Sequence, residues 1–530
     1  MSRLHAYTFV LALGALAAAQ SAVPQNRSSF HITGTVVNAI TGAPVGKIEV
    51  AIGWALQAEP ARTFVTAEDG RFDFENLARG KYWLEAHGRG YSTQRFDQHE
   101  EYSTAIVVGP NLISEGLMFR LLPEATITGS ITDDQNDPVA QAQVMLFRTG
   151  IHDGANSTAL RMQDATDDQG HYRLSHVPAG NYYIAVSARP WYAQYRPGNA
   201  GDADPALDTV FPITFYSGVT EPVAATLLTA KAGDHLVADI GLTAVPSAHL
   251  HIRDFGGDMR NGIDVELTEN LFGTDIRIGG SVQAVRSGEI DFGGVPPGRY
   301  SLALHSSSAQ PENVEKKIEL SGESEISVAD ASPMPSVTGI VRFEDGTPLP
   351  GPAMLLLRSR SGENLTARVP ADGKFEIAAD RAQLGKYEVE IFGIPGAFIK
   401  SLSATGANLI GREIDLAKGN AVNLTVILSH GVSRLNGTAL REGKPFAGAM
   451  IVLVPRDIEH NSLLVRRDQS DSDGTFSLLD VLPGSYTVVA IQNGWNLPWL
   501  NPDVIRPYLS GGTVVNISAR ERYDIKVTVQ

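Results

Sequence analysis

The residues of this chain best suited to chemistry are aromatic, and they sit in two long connections. One group is Trp191, Tyr192 and Tyr195; the other is Trp495, Trp499 and Tyr508. Flat aromatic faces carried on loops stack on sugar rings, so a polysaccharide docking on Trp495 and Trp499 is one expectation. The competing expectation is that these rings fold back over an open sheet edge, which sandwiches need covered. Histidines give less. None has Glu three positions later, His99 Glu100 lacks the second His of an HExxH motif, and His249 and His251 alternate on a strand without a third ligand in view, so structural or solvent roles are expected for them. Two acidic clusters, Asp133, Asp134 and Asp137, and Asp468, Asp471 and Asp473, offer oxygen ligands to calcium. They also stand where turns are expected, and without EF-hand spacing the turn reading is favoured. There is no GxSxG elbow, Walker loop or dinucleotide fingerprint, and zero Cys excludes thiol catalysis. The chain therefore reads as non-enzymatic, with no catalytic residue, no metal site and no cofactor.

The elements that must position these aromatics announce themselves by repetition. DGRFDFENLARGKY (69–82), QGHYRLSHVPAGNY (169–182), SGEIDFGGVPPGRY (287–300), DGKFEIAADRAQLGKY (372–387) and DGTFSLLDVLPGSY (473–486) are versions of one block. Its first glycine, Gly70, Gly170, Gly288, Gly373 or Gly474, suits a tight turn that needs positive φ. Residues two apart on the following strand share a face, so Phe72 with Phe74, Tyr172 with Leu174, Phe375 with Ile377 and Phe476 with Leu478 should point inward. The closing tyrosine, Tyr82, Tyr182, Tyr300, Tyr387 or Tyr486, begins a further core strand, where a buried ring needs a carbonyl for its hydroxyl.

Nothing in the 530 residues sustains the 3.6-residue apolar period of long helices, and turn signals recur every 8 to 12 residues. The expected fold is all-β: a tandem array of five β-sandwiches at 30–124, 125–246, 247–334, 335–431 and 432–530. The second carries the longest interruption, Trp191 to Tyr216, and loops of that length are functional or mobile in most compact domains. The third diverges most, lacks the glycine of the other strand openings, and reads as a spacer. Residues 1–22 combine Arg3, an apolar run from Phe9 to Ala19 and small residues beyond it, the pattern of a cleaved signal peptide. No stretch approaches the roughly 20 apolar residues of a membrane span. Export to the periplasm, the outer membrane or the exterior is expected. A net charge of -16 spread over all repeats disfavours nucleic acid.

The openings ITGTV, ITGSI and VTGIV, with the DGxFxFxxLxxGxYxLxA blocks, resemble carboxypeptidase regulatory-like domains, relatives of transthyretin-like and collagen-adhesin B-type sandwiches. The resemblance implies a Greek-key sandwich of prealbumin-like or immunoglobulin-like type, used as an accessory, stalk or glycan-associated module. It does not bring a peptidase site, since the zinc motif is missing. Nor does it bring the Lys to Asn cross-link of some B-type relatives, because the first strands place no Lys there. The functional expectation is a spacer or a binding or adhesion module at the cell envelope, facing an envelope protein or polysaccharide. Carbohydrate binding through the loop aromatics is one alternative, and an accessory role beside a separate peptidase or glycosidase is another.

Overall fold

A computed structural model describes residues 30–55, 61–194, 204–253, 263–286, 289–306, 314–327, 332–333, 336–359, 364–377, 385–416, 421–458 and 461–530. The signal-like stretch, Tyr195, Gly288 and the two extra residues of the fourth block lie outside them. The described chain is all-β, with one α-helix, Pro502–Leu509, and no helix long and apolar enough to cross a membrane. Among the described residues ten of the eleven sheets fall into five successive pairs of one plan, and the first and fifth pairs hold eight strands each. The eleventh is the two-stranded pairing of Thr209–Val210 with Val245–Pro246.

The plan starts from the opening strand of each repeat, which lies in the middle of its sheet. In the first repeat Phe30–Asn38 pairs antiparallel with the block strand Arg71–Leu77 and parallel with the closing strand Leu117–Leu121. In the fifth, Ser433–Arg441 pairs in the same way with Thr475–Val481 and with Arg522–Thr528, so the last strand is tied to its repeat. The inward residues of the block strands, from Phe72 and Phe74 to Phe476 and Leu478, are all buried. The block glycine turns at φ +69° in Gly70 and +78° in Gly474, and its carbonyl accepts from the opening strand, at 2.8 Å from the Val36 and Ala439 amides.

A second glycine explains the sequence of the opening strand. A Cβ on Gly34, Gly129, Gly339 or Gly437 would fall 2.3–2.8 Å from the ring of Phe72, Tyr172, Phe375 or Phe476, respectively. It would also press on a backbone carbonyl of the closing side, such as Leu117 O at 2.4 Å. The ring fills the space that the missing side chain leaves. The third repeat lacks this glycine, and its register puts Ile252 opposite Ile290, which stands where the other blocks have an aromatic. Loss of the glycine and loss of the ring go together because two bulky groups cannot share that space.

The second sheet begins its core with the block tyrosine. The hydroxyls of Tyr82, Tyr182, Tyr300 and Tyr486 each donate to the carbonyl four residues earlier, at 3.0, 2.6, 2.7 and 3.0 Å. The ring is buried in all five repeats, Tyr387 included. A phenol tied to its own preceding turn fixes where that turn ends and the strand begins, as in the tyrosine corner of other sandwiches.

The third repeat is not a detached spacer. Its core, including Leu250, Leu267 and Phe292, runs continuously into Met145, Phe147, Ala185, Ile213 and Phe215 of the second. Phe272 stacks on Tyr183 at 4.7 Å. The long interruption of the second repeat delivers part of this bridge, since Ile213 and Phe215 are buried there while Phe211 enters the second repeat's own core. Its described second half is thus a structural connection.

The glycine and ring arrangement gives a direct test. Gly437→Ile is expected to destabilise the fifth repeat by roughly 2 to 3 kcal/mol through overpacking. Adding Phe476→Ile, which copies the Ile252 and Ile290 pair, should recover at least half of that loss in urea unfolding. No recovery would mean that the ring is not what the glycine accommodates.

Candidate functional site: the seam between the first and last repeats

The loop aromatics of the fifth repeat are not open platforms. Trp495 and Trp499 are 7% and 5% exposed. They lie with Tyr508 of the α-helix on the outer face of the Met450–Pro455 and Gly484–Ile491 strands, against Met450, Val452, Val489 and Ile505. Their other side meets the first repeat. Trp495 stacks on His99 at 4.9 Å and on Tyr102 at 5.8 Å. This burial corrects the expectation that a glycan docks on Trp495 and Trp499: the rings cover a sheet face, the first repeat covers Trp495, and Gly154 of the second repeat lies against Trp499. Trp191, by contrast, is 90% exposed, with Tyr192 edge-on beside it at 5.7 Å. The two aromatic groups therefore differ in fate despite similar positions in their repeats.

The seam is organised around Arg467, whose side chain is 3% exposed. One guanidinium nitrogen donates to Glu100 at 2.7 Å, to Asp153 at 2.9 Å and to Glu101 at 3.3 Å. The guanidinium carbon lies 4.8 Å from the ring centres of both Tyr102 and Trp499. Three acidic groups from the first two repeats thus converge on one cation of the fifth. Glu100, Glu101 and Asp153 have the spacing of a metal cluster, but Arg467 occupies it. Desolvation pushes the Tyr102 phenol well above its ordinary range, the largest influence on it. Trp499 also lies over Gly154, where a Cβ would come within 2.2 Å of the indole. Gly154 turns the hairpin of the second repeat at φ +74° and accepts from the Leu500 amide at 2.9 Å.

Beside Arg467 the contact is made by backbone and amide groups. Gln469 is 1% exposed and donates to the Asp97 carbonyl at 2.6 Å and to Thr104 at 2.8 Å. The Ser472 amide donates to the Ala105 carbonyl at 3.0 Å, and the Val107 amide donates to the Ser472 hydroxyl at 2.8 Å. Lys81 forms an ion pair with Asp471 and donates to Thr475 at 2.8 Å. Burial pushes the Asp471 carboxyl up, and Lys81 acts against that shift. Protein donors engage the acidic turn of the fifth repeat: Asp468 accepts from the Gln469 and Ser477 amides, and Asp473 accepts from Thr475. In the second repeat Asp133 accepts from the Gln135 and Asp137 amides, both at 2.9 Å, as a turn residue does.

Next to the seam the two repeats diverge into a groove of about 970 Å³, the size of a small-molecule site. One wall is the outer face of the fifth repeat's first sheet, with Arg434, Asn436, Thr438, Ser477, Asp524 and Lys526; the other carries Trp83, Arg95 and Ser103 of the first repeat. Lys81, Asp468, Asp471 and Asp473 line it as well, so four basic and four acidic residues face one another in a protein of net charge -16. Burial raises the Asp468 carboxyl to about 6.

A second polar cluster lies at the joint of repeats two and three. His249 Nε2 is 2.7 Å from Asp208, and its Nδ1 is 3.1 Å from Asp291, which also faces His251 at 3.4 Å. Ser247 stands 3.4 Å from the same Nε2, giving a Ser, His and Asp set. It is not a catalytic triad, because Ser247 bonds to Asp208 and the imidazole is held between two carboxylates. The hydrogen bond to Asp291 is the largest influence, and it raises His249 to about 9. The histidine pair that lacked a third ligand in sequence has Asp208 and Asp291 as partners, drawn from the long connection and from the third block.

Sequence reasoning missed Arg467, Gln469 and Trp83. A signal existed for the first two: RRDQSD before the fifth turn is polar throughout, where the fourth repeat has LTARVPAD. Trp83 follows the block tyrosine, on the outward face, and its register partner is Gly53.

The family model of the carboxypeptidase regulatory-like domain matches residues 31–108 and 126–211, the first two repeats. The resemblance read from the blocks holds for these two domains. Among solved structures the chain is similar to the minor pilin GBS52 of Streptococcus agalactiae, with 15% identity over 41% of this chain and 96% of that one and a TM-score of 0.22. It is similar to a streptococcal ancillary pilin with 13% identity over 53% and 98% and a TM-score of 0.20. The shaft pilin SpaA from Lactobacillus rhamnosus GG gives 10% identity over 41% and 98% and a TM-score of 0.21. No curated protein matches the sequence.

Two tests address these clusters. Arg467→Met leaves the largely buried Glu100 carboxylate without its cation and is expected to cost about 3 kcal/mol at the seam. The tryptophan emission should shift to the red and the radius of gyration should rise; values unchanged from wild type would remove Arg467 from this role. His249 has a folded pKa above the unfolded one of about 6.5, so its contribution is complete below pH 6.5 and lost as pH rises through about 9. Urea unfolding of the second and third repeats should show a loss of roughly 2 kcal/mol over that window. His249→Gln should flatten that dependence, and an equally steep profile in the variant would assign it elsewhere.

Proposed function

We propose that the protein is an exported, non-enzymatic binding or adhesion module of the cell envelope. One observation carries this reading: a groove of about 970 Å³ whose two walls belong to the first and last repeats. Lys81 and Asp471, which meet at its floor, are 390 positions apart. A pure spacer keeps its ends apart, whereas here the end repeats are joined by a buried cation, the stacked indole of Trp495 and backbone hydrogen bonds. The binding branch of the reading is therefore favoured over the spacer branch. The signal-like residues 1–22 support export, and the acidic charge of -16 argues against nucleic acid as the partner. Against catalysis stands the chemistry of the polar clusters: Arg467 fills one, Asp208 blocks the other, and Asp133, Asp468, Asp471 and Asp473 are engaged by amide, hydroxyl and ammonium donors of the chain. An envelope protein or an envelope polysaccharide is the expected partner.

The test is retention of the purified chain on whole cell-envelope preparations. Wild type is expected to be retained, and Arg467→Met, which loosens the groove walls, to be retained several-fold less. Absence of wild-type retention would overturn the reading, and full retention of the variant would uncouple it from the seam.

A further inference from the structure

The groove beside the seam carries an inference about ligand chemistry that rests on the binding-module reading and deepens it. Its fifth-repeat wall is an ordered polar face. Strand register places Ser477, Asn436 and Asp524 in one row across three strands, and Thr475, Thr438 and Lys526 in the next. Each row spans roughly 10 Å at the ordinary spacing of strands, about the length of two sugar rings. Arg434, Asp524 and Lys526 form no ion pair among the described residues, so their heads remain available in the groove. The Ser477 hydroxyl donates to the Asn436 amide oxygen at 2.9 Å, which fixes the amide and orients its nitrogen.

The opposite wall offers an aromatic face. Trp83 lies flat across Gly53, where a Cβ would come within 2.5 Å of the indole. The glycine lets the ring lie down on the sheet with its other face turned outward, half-buried. Arg95 reaches over this outward face, with its guanidinium carbon 5.5 Å from the ring centre, and is itself held by Glu85 at 3.4 Å, so indole and guanidinium together form the surface of this wall. Acidic and basic groups balance in the groove while the rest of the chain is strongly acidic. A charged ligand of either sign would therefore meet its own sign as often as the opposite one. An apolar ligand would strand two rows of hydroxyl, amide and charged groups without partners.

We propose that this groove binds an uncharged oligosaccharide, one ring packed on the surface formed by Trp83 and Arg95 and the hydroxyls of its neighbours bonded to the Asn436 and Lys526 rows. Carbohydrate recognition thus belongs to Trp83 on a sheet face, not to the loop indoles Trp495 and Trp499.

Calorimetric titration of the full chain tests this with four probes: cellohexaose, maltohexaose, xylohexaose and a trigalacturonate. At least one neutral probe should bind, Trp83→Ala should weaken it about tenfold or more, and Trp83→Phe should stay within about threefold of wild type. Asn436→Ala with Lys526→Ala, on the opposite wall, should weaken it similarly, and Trp191→Ala should leave it unchanged. Unfolding curves of the Trp83 variants confirm that the fold is kept, and the Asn436 and Lys526 pair tests the site independently of the ring. Tighter binding of trigalacturonate, absence of binding by every neutral probe, or binding indifferent to both walls would overturn the proposal. If envelope retention survives in Trp83→Ala, the ligand assignment fails while the binding-module reading stands. If wild type is not retained at all, the reading itself fails.

Discussion

Four of the five sandwiches depend on one steric exchange: a glycine in the opening strand gives up its side chain so that an aromatic ring of the block strand can take the space. Gly34 under Phe72 and Gly437 under Phe476 are the clearest cases. The opening strand lies between the block strand and a parallel closing strand, so whatever sets its distance from the ring sets both sheet pairings at once. The Ile252 and Ile290 pair of the third repeat is the same exchange solved with two medium side chains. Close packing makes the two solutions alternatives rather than degrees of one arrangement.

From this common unit the chain builds two kinds of joint. The second and third repeats merge their cores, with Phe272 resting on Tyr183 and a buried His249 between two carboxylates. The first and fifth repeats meet through polar groups, with Arg467 between Tyr102 and Trp499 and three acidic groups around it. A merged apolar core holds its members at every salt concentration, while a cation withdrawn from water is strong only if each partner stays in place. The second kind of joint leaves a polar groove at its margin, and that is why the reading of function settles there.

Much of the unit was legible from local pattern. The block turn, the inward alternation from Phe72 to Leu478 and the tyrosine with its carbonyl follow from φ restrictions, the two-residue period of strands and the cost of an unpaired buried hydroxyl. The site was legible only in part. The aromatic richness around Trp495 and Trp499 marked a place where something packs, but a flat ring suits a sugar and a neighbouring domain equally. Trp83 looked like an ordinary member of its block until Gly53 was seen opposite it.

The sequence by itself determined the all-β class, the five-fold repetition, the turn glycines and the core tyrosines, because those depend on residues close in the chain and on one periodicity. Only the tertiary structure decided that the last repeat meets the first, that Arg467 and not Arg466 enters the seam, and that Trp495 and Trp499 are covered while Trp83 faces a groove. Contacts across 390 positions leave no spacing to read. They arise from which outward faces happen to be complementary once each sandwich has formed, and outward faces are where local pattern constrains residue type least.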